Sequence, residues 1–106
     1  MQEFADRGEV IYTTAISVAE CYHGAYRSKD RTKALREVKE LLDLFAILNL
    51  DHDSGRTWGE LAESTKSYTI GDRDLFIASI ALANGQSLIT GNKKHFERIP
   101  SLILEN

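Results

Sequence analysis

The sequence has few residues that form disulfides or interrupt helices and strands, with one cysteine and one proline among 106 residues. The single cysteine, Cys21, excludes an internal disulfide and fits a reducing, cytoplasmic setting. No low-complexity tract or repeat offers a linker, so we predict one domain over residues 1–106. No basic leader with an apolar core precedes the first strand-like segment, and the apolar run LFIASIALA is too short for a membrane span. We therefore expect no membrane association.

The sequence also lacks an excess of positive charge. Lys and Arg number 13 against 16 Asp and Glu, for a net charge of −3, so any contact with nucleic acid has to be local. The missing GxGxxG, P-loop and GxSxG patterns weigh against dinucleotide, nucleoside-triphosphate and serine-hydrolase chemistry. The spacing of Cys21 and His23 forms no zinc-type pattern with the other histidines.

Strand-like and helix-like segments alternate, which predicts an α/β fold with a parallel, doubly wound sheet. The predicted strands cover residues 10–14, 46–50, 87–90 and 102–104. The predicted helices cover residues 17–26, 31–45 and 75–83, with a further one beginning at Asp51 or Asp53 and the last turns of another at 1–7.

The segment 70–100 is the most informative for function. An apolar helix is expected to end at Asn84-Gly85, and a short strand then leads into a polar turn. In a parallel sheet the amino end of such a helix and the carboxyl end of the strand lie at one edge, where ligands of α/β sheets bind. Asp72, Asp74 and Asn92 are expected to share this edge, with Glu20 beside the end of the first strand.

Glu20 and Asp74 are the main candidates for a metal site. Ser17 and Glu20 have the spacing of a capping box, which predicts Glu20 in the first turn of its helix. Two carboxylates at one edge suit Mg2+, which would activate water and neutralise charge on a phosphodiester. A second interpretation stays open, because the helix dipole alone favours acids in a first turn.

Further candidates surround this pair, each with an ordinary structural alternative. Asp72 is a secondary candidate that also stands where a helix cap is expected. Asn92 is a candidate neutral metal ligand or hydrogen-bond donor to phosphate, although Gly-Asn is a common turn pair. Thr90, at the strand end, is placed to orient the site. The basic residues near the turn, which would contact phosphate or remain solvated, are Lys93, Lys94 and Arg98.

A second group of aromatic and basic residues follows Glu20. It offers stacking and phosphate contacts to RNA, but core and surface roles explain the same residues equally well. Its members are Tyr22, Tyr26, Arg27, Lys29 and Arg31.

With Glu20 in TTAISVAECYHGAYRS, Asp74 in IGDRDLFIASIALANG, and LITGNKKHFERIP after them, the chain resembles PIN-domain proteins, most closely the VapC-type toxin ribonucleases. The features that carry the resemblance are the Glu followed by Gly24, the G-x-x-D-x-x-I-A form of residues 71–78, and the strand leading into residues 90–96. Each feature alone is weak, and together they are specific.

The resemblance implies a Mg2+- or Mn2+-dependent endoribonuclease, the toxin of a type II toxin–antitoxin pair, in which clustered acids bind metal and water attacks an RNA phosphodiester. Glu20 matches the family's second acid and Asp74 its third, as metal ligands directly or through water. The resemblance also implies a homodimer and a VapB-like antitoxin that inserts residues into the active-site groove.

Two departures from the family pattern bear on activity. The family begins with a strand ending in L-D-T or L-D-S, followed by a helix, and this sequence starts near the end of that helix. Asn92 occupies the fourth acidic position, and His95 stands where an Asp is frequent. We therefore expect the 106-residue chain to be a weak or inactive nuclease and a full-length version to be active. The favoured explanation is a gene start assigned too far downstream, and the alternatives are a truncated gene or a fragment that completes its sheet by association. The alternative function is a catalytically inactive PIN-like module that binds protein or RNA.

Overall fold

The protein is described here from a computed structural model that covers residues 10–67 and 69–87 together with the backbone of 88–89 and 104–105. In chain order the elements are β1 (Tyr12–Thr14), α1 (Ala15–Tyr26), α2 (Arg31–Leu42), β2 (Ala46–Leu48), α3 (His52–Ser64), α4 (Asp72–Ala83), β3 (Leu88–Ile89) and β4 (Leu104–Glu105). The chain forms two compact units, Met1–Leu48 and Asn49–Asn106. The helix predicted over residues 1–7 lies outside the described residues.

The first unit contains a parallel pair of strands joined by two helices. Tyr12 of β1 lies opposite Ala46 of β2, and Thr14 lies opposite Leu48. Both α1 and α2 occur in the connection between the two strands, as a parallel pair requires a long crossover. The strands are shorter than the predicted 10–14 and 46–50, but their order and direction are as expected.

Helix α2 ends three residues before the predicted limit at residue 45. The N–H groups of Leu44 and Phe45 donate to the carbonyls of Leu41 and Leu42 at 3.1 Å each, which forms a tight turn. The Ala46 N–H then donates to Ile11 O at 2.9 Å and joins the sheet. Pairing with β1 therefore ends the helix. Leu41, in the last turn of α2, is 48% exposed.

The second unit is built on the packing of α3 against α4. Leu61 of α3 and Leu75 and Ala78 of α4 form a buried cluster, with Trp58 and Leu82 among the half-buried residues packed on it. A capping box opens α3 at Asp51, which settles the predicted choice between Asp51 and Asp53. Gly55 and Gly59 both lie inside this helix.

Helix α4 ends where the sequence predicts, at Asn84-Gly85. Gly85 has φ +65°, its N–H donates to Leu82 O at 3.1 Å, and the Gln86 N–H donates to Ala81 O at 2.9 Å. This is a Schellman motif, in which glycine accepts the left-handed conformation without a Cβ clash.

Strands β3 and β4 form a second parallel pair, with Leu88 opposite Leu104 and Ile89 opposite Glu105. Leu88 and Ile89 lie within the predicted strand 87–90 and Leu104 within the predicted strand 102–104, whereas Thr90 and residues 102–103 lie outside the described residues. The predicted α/β class with parallel strands is confirmed. None of the helices in the described residues is long and apolar enough to cross a membrane.

Candidate functional site

Glu20 lies in the second turn of α1 and is exposed to solvent. The predicted capping box at Ser17 is wrong, because α1 begins earlier, at Ala15, directly after β1. Thr14 is the N-cap, and its Oγ1 accepts a hydrogen bond from the Ser17 N–H at 3.1 Å. The strand ends on a hydroxyl residue that can cap at once, so Glu20 becomes the sixth residue of the helix instead of the third.

Asp72 and Asp74 both lie in the first turn of α4, as the first and third residues of the helix. The prediction that Asp72 caps this helix is wrong. Gly71 is the N-cap, with φ −64° and ψ 148°, and it makes no side-chain capping bond. Negative charge at both positions is favourable near the positive end of the helix dipole. Asp74 is half-buried, whereas Asp72 is exposed.

The position of Asp74 is fixed by the residues that follow it. Leu75 is 4% exposed and belongs to the buried cluster with Leu61 and Ala78. The ring of Phe76 stacks on Trp58 of α3, with 5.1 Å between centroids and 19° between ring planes. Any rotation or sliding of the first turn of α4 would therefore break apolar contacts with α3, so the Asp74 carboxylate is carried on a rigid support.

The candidates fall into separate parts of the structure. Asp72 and Asp74 share one helical turn in the second unit, and residues two apart on a helix face different directions. Glu20 belongs to the first unit. The remaining predicted site residues, which lie outside the described part of the chain, are Thr90, Asn92, Lys93, Lys94 and Arg98.

The donor chemistry of the described candidates fits a hard cation. Carboxylate oxygens such as those of Glu20 and Asp74 are the ligands that Mg2+ and Mn2+ prefer, and one or two of them are enough when water and substrate complete the shell. Over residues 10–67 and 69–87, no group of three or more His, Cys, Asp or Glu side chains is arranged to hold a metal ion.

Comparison with known proteins extends over almost the whole chain. The family model described as PIN domain matches residues 2–102. Ribonuclease VapC2 of Rickettsia felis is 34% identical over 98% of this chain and 79% of its own length. Ribonuclease VapC2 of Haemophilus influenzae strain Rd is 29% identical over 100% of this chain and 82% of its own.

Solved structures show the same relationship in three dimensions. The chain matches a crystal structure of VapBC2 from Rickettsia felis bound to a DNA fragment from their promoter, with a TM-score of 0.92, 34% identity, and 99% and 80% of the two chains covered. A structure of VapBC-1 from nontypeable Haemophilus influenzae matches with a TM-score of 0.89, 27% identity, and 100% and 85% covered. These likenesses confirm the PIN-like α/β fold that the sequence predicts.

Proposed function

This chain belongs to the PIN-domain family, as a VapC-type member, and on that premise we propose that it is a toxin endoribonuclease that uses Mg2+ or Mn2+. The observation that carries the proposal is the likeness to ribonuclease VapC2 of Rickettsia felis, which extends over 98% of the chain at 34% identity. A shared fold alone would not support an activity, but this likeness includes the segments that carry both candidate acids.

We propose that Glu20 and Asp74 hold the metal, with Asp72 as a secondary ligand candidate. The support is that these side chains offer carboxylate oxygens as ligands, and that the first turn of α4, which carries Asp74, is packed against α3. A bound divalent cation would supply positive charge to the phosphodiester and acidify a coordinated water. Asn92 is assigned as a neutral metal ligand or a hydrogen-bond donor to phosphate, and Thr90 is assigned to orient the site.

The basic residues after β3 are assigned to the RNA backbone in this proposal. Lysine and arginine contacts to phosphate position a nucleic acid without reading its sequence. The residues proposed for this role are Lys93, Lys94 and Arg98.

We further propose a VapB-like antitoxin as the partner of this chain, and a homodimer as its assembly. The support for the antitoxin is that the solved relatives from Rickettsia felis and Haemophilus influenzae are VapBC complexes. Because RNA is the proposed substrate, the activity is assigned to the cytoplasm.

The proposal is tested by RNA cleavage and Mn2+ binding with the purified chain. Asp74→Asn and Glu20→Gln each remove a ligand charge with little change of shape, while Glu37→Gln removes an exposed acid on α2 as the matched control. A metal contributes several kcal/mol to charge stabilisation, so loss of either ligand should lower cleavage at least about 100-fold. Titration calorimetry should show weaker Mn2+ binding by the same two variants and unchanged binding by the control.

Two outcomes would contradict the proposal. Cleavage by Asp74→Asn at the wild-type rate would remove Asp74 from the active site. Absence of cleavage by the wild-type chain with either metal would agree with the weak or inactive chain expected from the sequence and would favour the catalytically inactive binding module over the ribonuclease.

A further inference from the structure

The turn between α1 and α2 carries a concentration of positive charge that the proposed active site does not use. We call residues 26–36 the basic tip. Its cations are Arg27, Lys29, Arg31, Lys33 and Arg36, against the single acid Asp30. Five positive charges and one negative charge give the tip a net charge of +4, whereas the whole chain carries −3. Local charge of this kind is what a sequence without a general basic excess needs for a nucleic-acid contact.

The geometry of the tip places an aromatic ring beside a fixed cation. Tyr26 is the last residue of α1 and Arg31 is the first of α2. Arg31 Nε donates to Tyr26 O at 3.0 Å, and its guanidinium carbon lies 6.0 Å from the centroid of the Tyr26 ring. Tyr26 is nevertheless 54% exposed. The ring therefore lies beside a cation, and because more than half of the residue is exposed it is open to a planar ligand.

Most cations of the tip lack the ion pairs that two other lysines of the described structure form. Lys39 pairs with Asp43 at 2.9 Å, and Lys66 pairs with Glu63 at 2.6 Å. In contrast, over residues 10–67 and 69–87 no ion pair involves the side chain of Arg27, Lys29, Lys33 or Arg36. The one acid of the tip, Asp30, uses its carboxylate to accept the Lys33 N–H at 3.1 Å and cap α2. The four cationic side chains are thus available to phosphates.

We propose that the basic tip binds an unpaired segment of the RNA substrate, with a base stacked on Tyr26 and the cations on the flanking phosphates. Single-stranded nucleic acids are held by this combination of aromatic faces and basic side chains, whereas a duplex keeps its bases stacked internally. The inference rests on the proposed ribonuclease function. The tip residues position the RNA and take no part in bond cleavage.

A purely structural role explains only part of this arrangement. Arg31 satisfies a carbonyl at the carboxyl end of α1, where a cation is also favoured by the helix dipole. That role does not require Tyr26 to be exposed, and it does not involve Lys29, Lys33 or Arg36. Arg31 is therefore left unchanged in the test.

The experiment measures binding of a labelled, unstructured RNA by fluorescence anisotropy in EDTA, where a metal-dependent nuclease cannot cleave it. Tyr26→Leu removes the aromatic face, and Tyr26→Phe is its matched control. Lys29→Gln, Lys33→Gln and Arg36→Gln are combined in one variant, with the exposed Arg56→Gln on α3 as the charge control. Thermal unfolding checks that every variant is folded.

The expected results have different signatures for stacking and for charge. Tyr26→Leu should weaken binding about fivefold or more, as expected for loss of one stacked base, while Tyr26→Phe binds as the wild type does. The combined variant should flatten the dependence of log K on log salt by about 0.7 for each phosphate that the protein no longer neutralises. In a cleavage assay with Mn2+, both changes should raise KM and leave kcat unchanged.

Several outcomes would overturn the inference. Wild-type binding by the tip variants, or no binding of RNA by the wild type, would refute it directly. If the combined variant lost duplex and single-stranded RNA binding equally, while Tyr26→Leu bound RNA as the wild type does, stacking of a base on Tyr26 would be refuted. If the tip variants lost binding to an acidic peptide and kept binding to RNA, the tip would be assigned to a protein partner. RNA binding that depends on the tip, without any cleavage in Mn2+, would instead support the proposed role of the tip and favour the catalytically inactive binding module over the ribonuclease.

Discussion

Ser54→Ala should destabilise the protein through the capping box that opens α3. Ser54 is fully buried, and its Oγ accepts the Asp51 N–H at 2.7 Å. The same hydroxyl donates to Asp51 Oδ1 at 2.9 Å, and the Ser54 N–H donates to that oxygen at 3.0 Å. The substitution removes these two hydroxyl bonds and a longer one, 3.3 Å, from the hydroxyl to Asp51 O. It keeps the bond from the Ser54 N–H, so the Asp51 N–H loses its acceptor.

The expected cost follows from these bonds. An unsatisfied N–H at a partly buried position costs about 1–3 kcal/mol. Alanine has a higher helix propensity than serine, which offsets about 0.5 kcal/mol of this cost. The net loss in the free energy of unfolding should be about 1–2 kcal/mol. For a chain of this size each kcal/mol lowers Tm by about 4–8 °C.

The loss should also depend on pH. Hydrogen bonds from the Ser54 N–H and then from its hydroxyl lower the pKa of Asp51 below its ordinary value. A carboxyl whose pKa is lowered in the folded state stabilises it fully above the unfolded pKa, and this stabilisation is lost as pH falls through the folded value. Removing the hydroxyl raises the folded pKa, so the difference between wild type and Ser54→Ala should be largest near neutral pH and shrink below about pH 4.

Urea unfolding of the wild type and the variant at neutral and acidic pH would measure this difference. Ser64→Ala is the matched control, because it makes the same chemical change at the other end of α3, where the residue is exposed. The control should change stability by less than about 0.5 kcal/mol. Equal stability of Ser54→Ala and wild type, or a loss that does not vary with pH, would refute the reasoning.

Substitutions at two further positions test the support of α4. Leu75→Ala should cost about 2–4 kcal/mol in urea unfolding, since Leu75 is 4% exposed and packs on Leu61, and a loss below about 1 kcal/mol would contradict its buried placement. Gly85→Ala should cost about 1 kcal/mol and Gly85→Asn less, because φ is +65° while no atom lies within 4 Å of an added Cβ. Thermal unfolding of the pair would show this order, and equal Tm values for the two variants would count against backbone strain.

The sequence predicted those features that depend on local chemistry. Asn84-Gly85 ends α4 because only glycine accepts the left-handed conformation cheaply, and Asp74 falls in the first turn as expected. The start of α1 was misplaced because Thr14 and Ser17 are both competent caps. The choice between them depends on where β1 ends, and the pairing of β1 with β2 decides that. Pairing is a long-range property, which residue spacing does not encode.

The same limit applies to the candidate site. The resemblance to VapC-type proteins identified Glu20 and Asp74 as acids of interest, but the position of Glu20 within its helix was wrong by three residues. The exposure of Tyr26 and its contact with Arg31 were not predictable from composition, which allowed core and surface roles equally. These features depend on how the turn between α1 and α2 folds.

The continuous burial of α4 has a consequence for hydrogen exchange. Four consecutive residues of this helix are buried, so the helix has no solvent-exposed side over that stretch. They are Ala78, Ser79, Ile80 and Ala81. Amides in such a segment exchange with solvent only through large-scale opening, and they report the global free energy of unfolding. Asp74 lies one turn before this stretch. The candidate carboxylate is therefore carried on a helix whose buried amides should exchange slowly, and its placement should persist through local fluctuations elsewhere in the described residues.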